Sequence, residues 1–198
     1  MLSVIIATQD SERVLVPTLA TLVSGAAAGI IREVIVADAG SRDATAQIAD
    51  IAGCELKVSN GTLAQRLREA AATARGTWLM FLKPGTVLDA NWVDETTRFI
   101  EHVERQGKVD SRVAVFRMAP SMGIDHSAVV EALAILRAAV SRPRAEQGLI
   151  IFKRLYDRLG GHHDAAADPE RDLIIRLGRR RIVRLRNAAS FETPLPPA

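Results

Sequence analysis

The stretch Glu33 to Thr45, EVIVADAGSRDAT, restricts this chain more than any other. A short, β-branched apolar run ends abruptly at Asp38. The small turn Ala39-Gly40-Ser41 follows, and Asp43-Ala44-Thr45 opens a helical pattern. Such a run, stopping at Gly and Ser, predicts a buried strand. Ligands of open α/β sheets sit at the carboxyl ends of these strands. Asp38 is therefore a candidate ligand contact, beside a glycine, Gly40, that lets a ligand approach the backbone. Ser41 and Asp43 suit the cap of the next helix.

The pattern recurs along the chain. Leu2 to Ala7 predicts a first strand, Thr8 to Ser11 its exit loop, and a helix runs on to about Val23. The small residues Ser24 to Gly29 read as a connector. Their glycines follow a helix and precede a strand, the reverse of a dinucleotide fingerprint. Glu55 to Val58 predicts a third strand, and Thr62 to Ala74 a helix stopped by Gly76. Trp78 to Leu82 predicts a fourth, fully buried strand, which exits into the turn Lys83-Pro84-Gly85-Thr86. Asn91 to Gln106 predicts a helix. Strands alternating with helices imply an α/β fold with a parallel sheet covered on both faces. The second half is less regular. It offers strands at Arg112 to Met118, Gly148 to Phe152 and Arg181 to Leu185, and helices at Ser127 to Val140, Lys153 to Leu159 and Pro169 to Leu177. The length suits one domain, 1–192, with an extended or disordered tail over 193–198.

Composition narrows the function. Apolar residues make up 48% and charged residues 25%, enough for a packed core. Aromatics are only 4%, which argues against a stacking platform for single-stranded nucleic acid. Cys54 is the single cysteine, so no intrachain disulfide forms. No signal peptide and no apolar run of about 18 residues is visible, so a cytoplasmic location is expected. Residues 171–186 hold seven arginines against one aspartate. They read either as a solvated helix face and an edge strand, or as a contact for a diphosphate, a phosphorylated lipid acceptor or the inner membrane surface. No recognised nucleic-acid motif accompanies them, so nucleic acid is not expected as a partner.

Together these segments resemble a family 2 glycosyltransferase of the GT-A (Rossmann-like) fold. LSVIIATQDSE at the start is similar to that family's opening strand and loop, and Glu33 to Thr45 resembles its second strand and loop closely. Ala70 to Leu82, Gln147 to Gly161 and Asp172 to Arg181 resemble three further segments in the family's order. The resemblance implies a nucleotide-binding half, 1–110, and an acceptor-side half, 111–192. It implies transfer of a sugar from a nucleotide-sugar donor to an acceptor hydroxyl, usually with inversion. Thr8, Asp10, Asp38, Gly40 and Asp43 fall on the nucleotide-binding segments.

The chain departs from the family at several places: Gln9-Asp10 stands for Tyr-Asn in the first loop, Arg68 and Ala70 for an Asn and a Gly, and two further departures touch the chemistry. The family holds a divalent metal with an Asp-x-Asp motif after the fourth strand, and Lys83 and Gly85 stand at those positions. A hard cation needs oxygen ligands, so no ordinary metal site is expected here. Lys83 is either a diphosphate-facing ammonium in the metal's place or an exposed turn lysine. Where the family carries its Glu-Asp pair, this chain has Pro169 and Glu170. Glu170 is the candidate catalytic base, with Asp168 and Asp172 as neighbours that could substitute. Glu170, Arg171 and Asp172 also suit a solvated first helical turn. His162-His163-Asp164 could bind a metal, although adjacent histidines point apart on most backbones. The departures leave a second reading open, a non-catalytic binding or scaffolding module on the same fold.

Overall fold

The computed structural model describes residues 1–118 and 143–191. Trp78–Leu82 forms strand β4, and all five of its side chains are buried. Trp78, Met80 and Leu82 enter one core layer, Leu79 and Phe81 the other. A strand covered on both faces requires this unbroken apolar run. Burying these side chains contributes on the order of 10 kcal/mol before chain entropy is counted.

The remaining elements are β1 (Leu2–Thr8), α1 (Glu12–Ala27), β2 (Ile31–Asp38), α2 (Thr45–Ile51), β3 (Glu55–Val58), α3 (Leu63–Thr73), β5 (Thr86–Leu88), α4 (Trp92–Arg105), β6 (Val113–Met118), β7 (Leu149–Phe152), α5 (Lys153–Arg158), α6 (Pro169–Leu177) and β8 (Ile182–Phe191). The strands make one sheet in the order β3-β2-β1-β4-β7-β6-β8-β5. The first four are mutually parallel. β7 runs antiparallel to β4 and β6, β8 parallel to β6, and β5 antiparallel to β8. The sheet is mostly parallel, as expected. Its topology also places the site: β1, β2 and β4 end at one edge, and the 3-10 turn Ala145–Gln147 enters β7 at that same edge.

One core layer joins Leu15 and Leu22 of α1 to Trp92, Phe99 and Val103 of α4 over the sheet. The other joins Leu67, Ala70 and Ala71 of α3 to Leu155, Tyr156, Leu173 and Leu177 of α5 and α6. Among the described residues, no helix is long and apolar enough to cross a membrane. The expected helix Ser127 to Val140 and the tail from Thr193 lie outside the described residues.

Four expectations need correction. The connector Ser24 to Gly29 is helical as far as Ala27. Its small residues serve packing, because a Cβ on Gly25 would lie 2.5 Å from the Trp92 ring. Gly76 does not stop α3, whose C-cap is already Ala74. It admits the backbone of β1, since a Cβ there would lie 2.6 Å from the Ser3 nitrogen. The turn after β4 continues into β5, which is too short to show a period. Finally, β8 is no edge strand: it pairs with β6 on one side and β5 on the other. It reaches Phe191 because a bulge absorbs Arg186 and Asn187, whose amides donate to the Glu95 carboxylate at 2.5 and 2.6 Å. A bulge breaks the alternation by which a strand is read from sequence.

Gly25→Ala should lower stability by about 1–2 kcal/mol in urea unfolding. The clash with Trp92 costs about 1–3 kcal/mol and outweighs the roughly 1 kcal/mol gained in helix propensity. An unchanged midpoint would mean that the Trp92 ring can move aside.

Candidate functional site

Thr8 ends β1 beside Asp38, which ends β2. The Asp38 side chain is almost wholly buried, yet its carboxylate is fully served. The Thr8 and Ser41 hydroxyls donate to Oδ1 at 2.7 and 2.5 Å, and the Gly40 and Ser41 amides to Oδ2 at 2.9 and 2.7 Å. An ionised carboxylate offers about four acceptor sites, and all are taken. Burial alone would raise its pKa, but the bonds from Ser41, Thr8 and Gly40 outweigh it and hold the group below its ordinary value. Gly40 supplies the positive φ, +84°, that this turn requires.

The two exit loops are stitched together. The Asp10 amide donates to Ser41 Oγ at 2.9 Å, and the Arg42 amide to Asp10 Oδ1 at 2.8 Å. The Glu12 amide donates to Asp43 Oδ2 and the Ala44 amide to Glu12 Oε2, each at 2.9 Å. The Ser11 amide donates to Thr45 Oγ1 at 2.8 Å. The N-cap position of α2 is Ala44, and Ser41 does not cap the helix as expected. Its side chain bonds Asp38 instead, whereas Asp43 does serve the helix start, its Oδ1 accepting the amide of Thr45, the first helical residue, at 3.0 Å as well as the Thr45 hydroxyl. Thr8, Asp10, Asp38, Gly40 and Asp43 are thus brought to one place, but each of the three carboxylates is already engaged with the loops.

Arg66, inside the helix expected over Thr62 to Ala74, is a residue that sequence reasoning missed. It is 8% exposed, and its Nη1 donates to Thr8 O, the last carbonyl of β1, at 2.9 Å and to Ala37 O, the next-to-last of β2, at 2.7 Å. No periodicity marks an arginine as buried; only the carbonyl ends of two neighbouring strands make a place for it.

A second cluster lies at the end of β4. Lys83 Nζ stands 3.0 Å from Glu146 Oε1 and 3.2 Å from Glu170 Oε2. Glu170 sits in the first turn of α6, and its side chain is only 14% exposed. Its neighbours face elsewhere: Asp168 caps α6 by accepting the Arg171 amide, and Asp172 pairs with Arg176 at 2.7 Å. Among the three acids, Glu170 alone meets Lys83. Burial pushes the Glu170 carboxyl above its ordinary pKa, although Lys83 pulls the other way. For Lys83 burial is outweighed by Glu170 and Glu146, and its pKa is raised. Glu146 is lowered, its own amide and Lys83 outweighing burial. Sequence reasoning missed Glu146, an acid in an irregular turn that only the antiparallel entry of β7 carries to this edge.

His162-His163-Asp164 share no centre. His162 is buried, with Nδ1 2.8 Å from the Tyr156 hydroxyl and its ring edge-on to Phe81. Burial drives its pKa down to about 3, so the ring is neutral. His163 faces Asp172 at 3.6 Å, and Asp164 pairs with Arg68 at 2.5 Å. Among the described residues, no group of three or more His, Cys, Asp or Glu could hold a metal ion. The two glutamates at β4 do not fit one either, because the Lys83 ammonium occupies the space between them.

In the basic segment, Arg176 turns inward to Asp172 and to the Leu159 and Gly161 carbonyls. Arg171, Arg179, Arg180 and Arg186 are exposed.

The family model described as Glycosyl transferase family 2 matches residues 3–166. No curated protein matches the chain. The fold is similar to the crystal structure of S. aureus TarS 1-349 in complex with UDP-GlcNAc, at TM-score 0.64 and 18% identity over 98% of this chain and 59% of that one. It is similar to glucosyl-3-phosphoglycerate synthase from Mycobacterium tuberculosis in complex with Mn2+, UDP and glucosyl-3-phosphoglycerate, at TM-score 0.66 and 15% identity over 98% and 73%. It is also similar to the mannosyltransferase PcManGT from Pyrobaculum calidifontis in complex with GDP-Man and Mn2+, at TM-score 0.70 and 17% identity over 98% and 57%. These likenesses place the fold in the GT-A class. The chain spans 60% of the length of TarS 1-349.

Asp38→Asn should cost about 2–3 kcal/mol at pH 7, because charge-assisted bonds to the loop are lost and an amide NH2 faces donors. The folded-state pKa lies below the unfolded one, so the carboxylate's contribution is full above the unfolded value, near pH 4. It fades as pH falls through the folded value. The gap between wild type and variant in denaturant unfolding should therefore narrow below about pH 4. A gap that stays constant with pH would mean that the charge of Asp38 does not hold the loops.

Proposed function

The chain belongs to glycosyl transferase family 2, and on that footing we propose that it transfers a sugar from a nucleotide-sugar donor to an acceptor hydroxyl, with inversion and without a metal. The observation that carries this reading is the pairing of Lys83 with Glu170 at the end of β4. Glu170 is a mostly buried carboxylate whose pKa is raised, which suits a general base. It takes the proton of the acceptor hydroxyl as that oxygen attacks the anomeric carbon. The bond from this carbon to the diphosphate breaks, and the electron pair leaves on the diphosphate. The Lys83 ammonium stabilises that charge, which a divalent cation does elsewhere.

The stitched loops of β1 and β2 form the nucleotide wall. Asp38, Asp10 and Asp43 hold it in shape, and Thr8 and Gly40 belong to the same frame. The Ala39 and Gly40 amides are themselves engaged, with Thr8 O and Asp38 Oδ2, and the exposed group beside them is the Asn60 side chain, which lies against Gly40. The exposed arginines of 171–186 support an anionic acceptor, such as a phosphorylated or lipid-linked one at a membrane face.

The same pairing favours a second reading. A base bound to an ammonium at 3.2 Å is a poor proton acceptor, so the chain could bind nucleotide sugars without turning them over.

Calorimetric titration with UDP- and GDP-sugars decides between these readings. Binding should survive EDTA and weaken about tenfold or more in Lys83→Met, where a charge-assisted contact is lost. With an acceptor that supports transfer, Glu170→Gln should lower kcat by about 100-fold or more while donor binding is retained. Loss of binding in EDTA would refute metal independence. Binding with no turnover on any acceptor would favour the second reading.

A further inference from the structure

The geometry of the β4 cluster points to a donor-operated release of the base, an inference that rests on the proposed transfer reaction. Inversion puts the base and the leaving group on opposite faces of the anomeric carbon. The base must stand about 2.6–3.2 Å from the acceptor oxygen, and that oxygen about 3–3.5 Å from the carbon. A cation serving the leaving oxygen therefore stands on the order of 6 Å or more from the base. Here Lys83 Nζ is 3.2 Å from Glu170 Oε2. The two groups cannot play both parts from these positions, so this is the closed arrangement of the site.

We propose that the diphosphate of the donor draws Lys83 away from Glu170, and that this exchange frees the carboxylate to act as base. Three observations support it. Lys83 is shared by two carboxylates from different elements, so the bond to one can open while the other is kept. Its side chain is 29% exposed, so an incoming anion can reach it. Glu146 grips the same ammonium at 3.0 Å from a different element, the turn before β7. It keeps Lys83 at the site when the Glu170 bond opens, and is in this sense a positioning residue. Glu170 cannot follow the ammonium far, because it is fixed in the first turn of α6. The consequence is order: the donor must bind before an acceptor can be deprotonated, which prevents futile activation of a hydroxyl in an empty site.

The test is a double-mutant cycle on nucleoside diphosphate binding, with UDP and GDP as probes and calorimetry as readout. If the diphosphate competes with Glu170 for Lys83, Glu170→Gln should tighten binding by about fivefold or more. In the Lys83→Met background the same substitution should change affinity by less than about twofold. Equal tightening in both backgrounds would be general charge removal and would overturn the proposal while leaving the transfer reading intact. No effect of Glu170→Gln in the wild-type background, with Lys83→Met still weakening binding, would overturn it in the same way. Failure of wild type to bind either nucleotide would sink the transfer reading and this proposal with it. Glu170→Ala repeats the cycle should the glutamine amide bond the ammonium, and thermal melts of each variant verify folding.

Discussion

Strand β4 is buried on both faces, and the other elements take their places from it. Its five apolar side chains need cover above and below, which α1 and α4 supply on one side and α3, α5 and α6 on the other. Its two edges need partners, which are β1 running parallel and β7 running antiparallel. The opposed directions matter for chemistry. The ends of β1, β2 and β4 and the turn before β7 gather at one edge of the sheet, and the polar residues that terminate the apolar runs gather with them.

Two polar clusters at that edge differ in kind. Around Asp38 every acceptor site is filled by a hydroxyl or an amide of fixed geometry. Such a cluster is costly to disturb, because any lost donor leaves a buried charge underserved. It suits a wall. Around Lys83 a partly exposed ammonium is shared by two carboxylates from different elements. An incoming diphosphate, with its charged oxygens, can take the place of one carboxylate as the ammonium's partner. It suits a working group.

Much of the fold was legible because burial imposes periods. β4 and α6 fall where the apolar run and the proline put them. The mistakes share a cause: they lie where packing or pairing overrides the local pattern. Ser24 to Ala27 continues a helix because Trp92 fills the space that its small residues leave. β8 runs past Leu185 because Glu95 and Asp89 serve the amides of its bulge. In the site, Lys83 and Glu170 were legible as an odd lysine and an acid at places where the family carries other residues. Arg66 and Glu146 were not, because an arginine on a helix and a glutamate in a turn look like solvated residues until their partners are known.

By itself the sequence determined the strand-helix alternation, the strand ends that carry Asp38 and Lys83, and the loss of the carboxylates after β4. These follow from short-range facts: side-chain polarity, period, and which residue stands at a position. The tertiary structure decided what those residues touch. It assigned Asp38 to its own loops, singled out Glu170 from three adjacent acids, and brought Glu146 to the same ammonium. Contacts between residues 63 and 87 positions apart, as from Lys83 to Glu146 and Glu170, depend on strand order and direction. No local pattern encodes these, since they come from the joint demand that both faces of one apolar strand be covered.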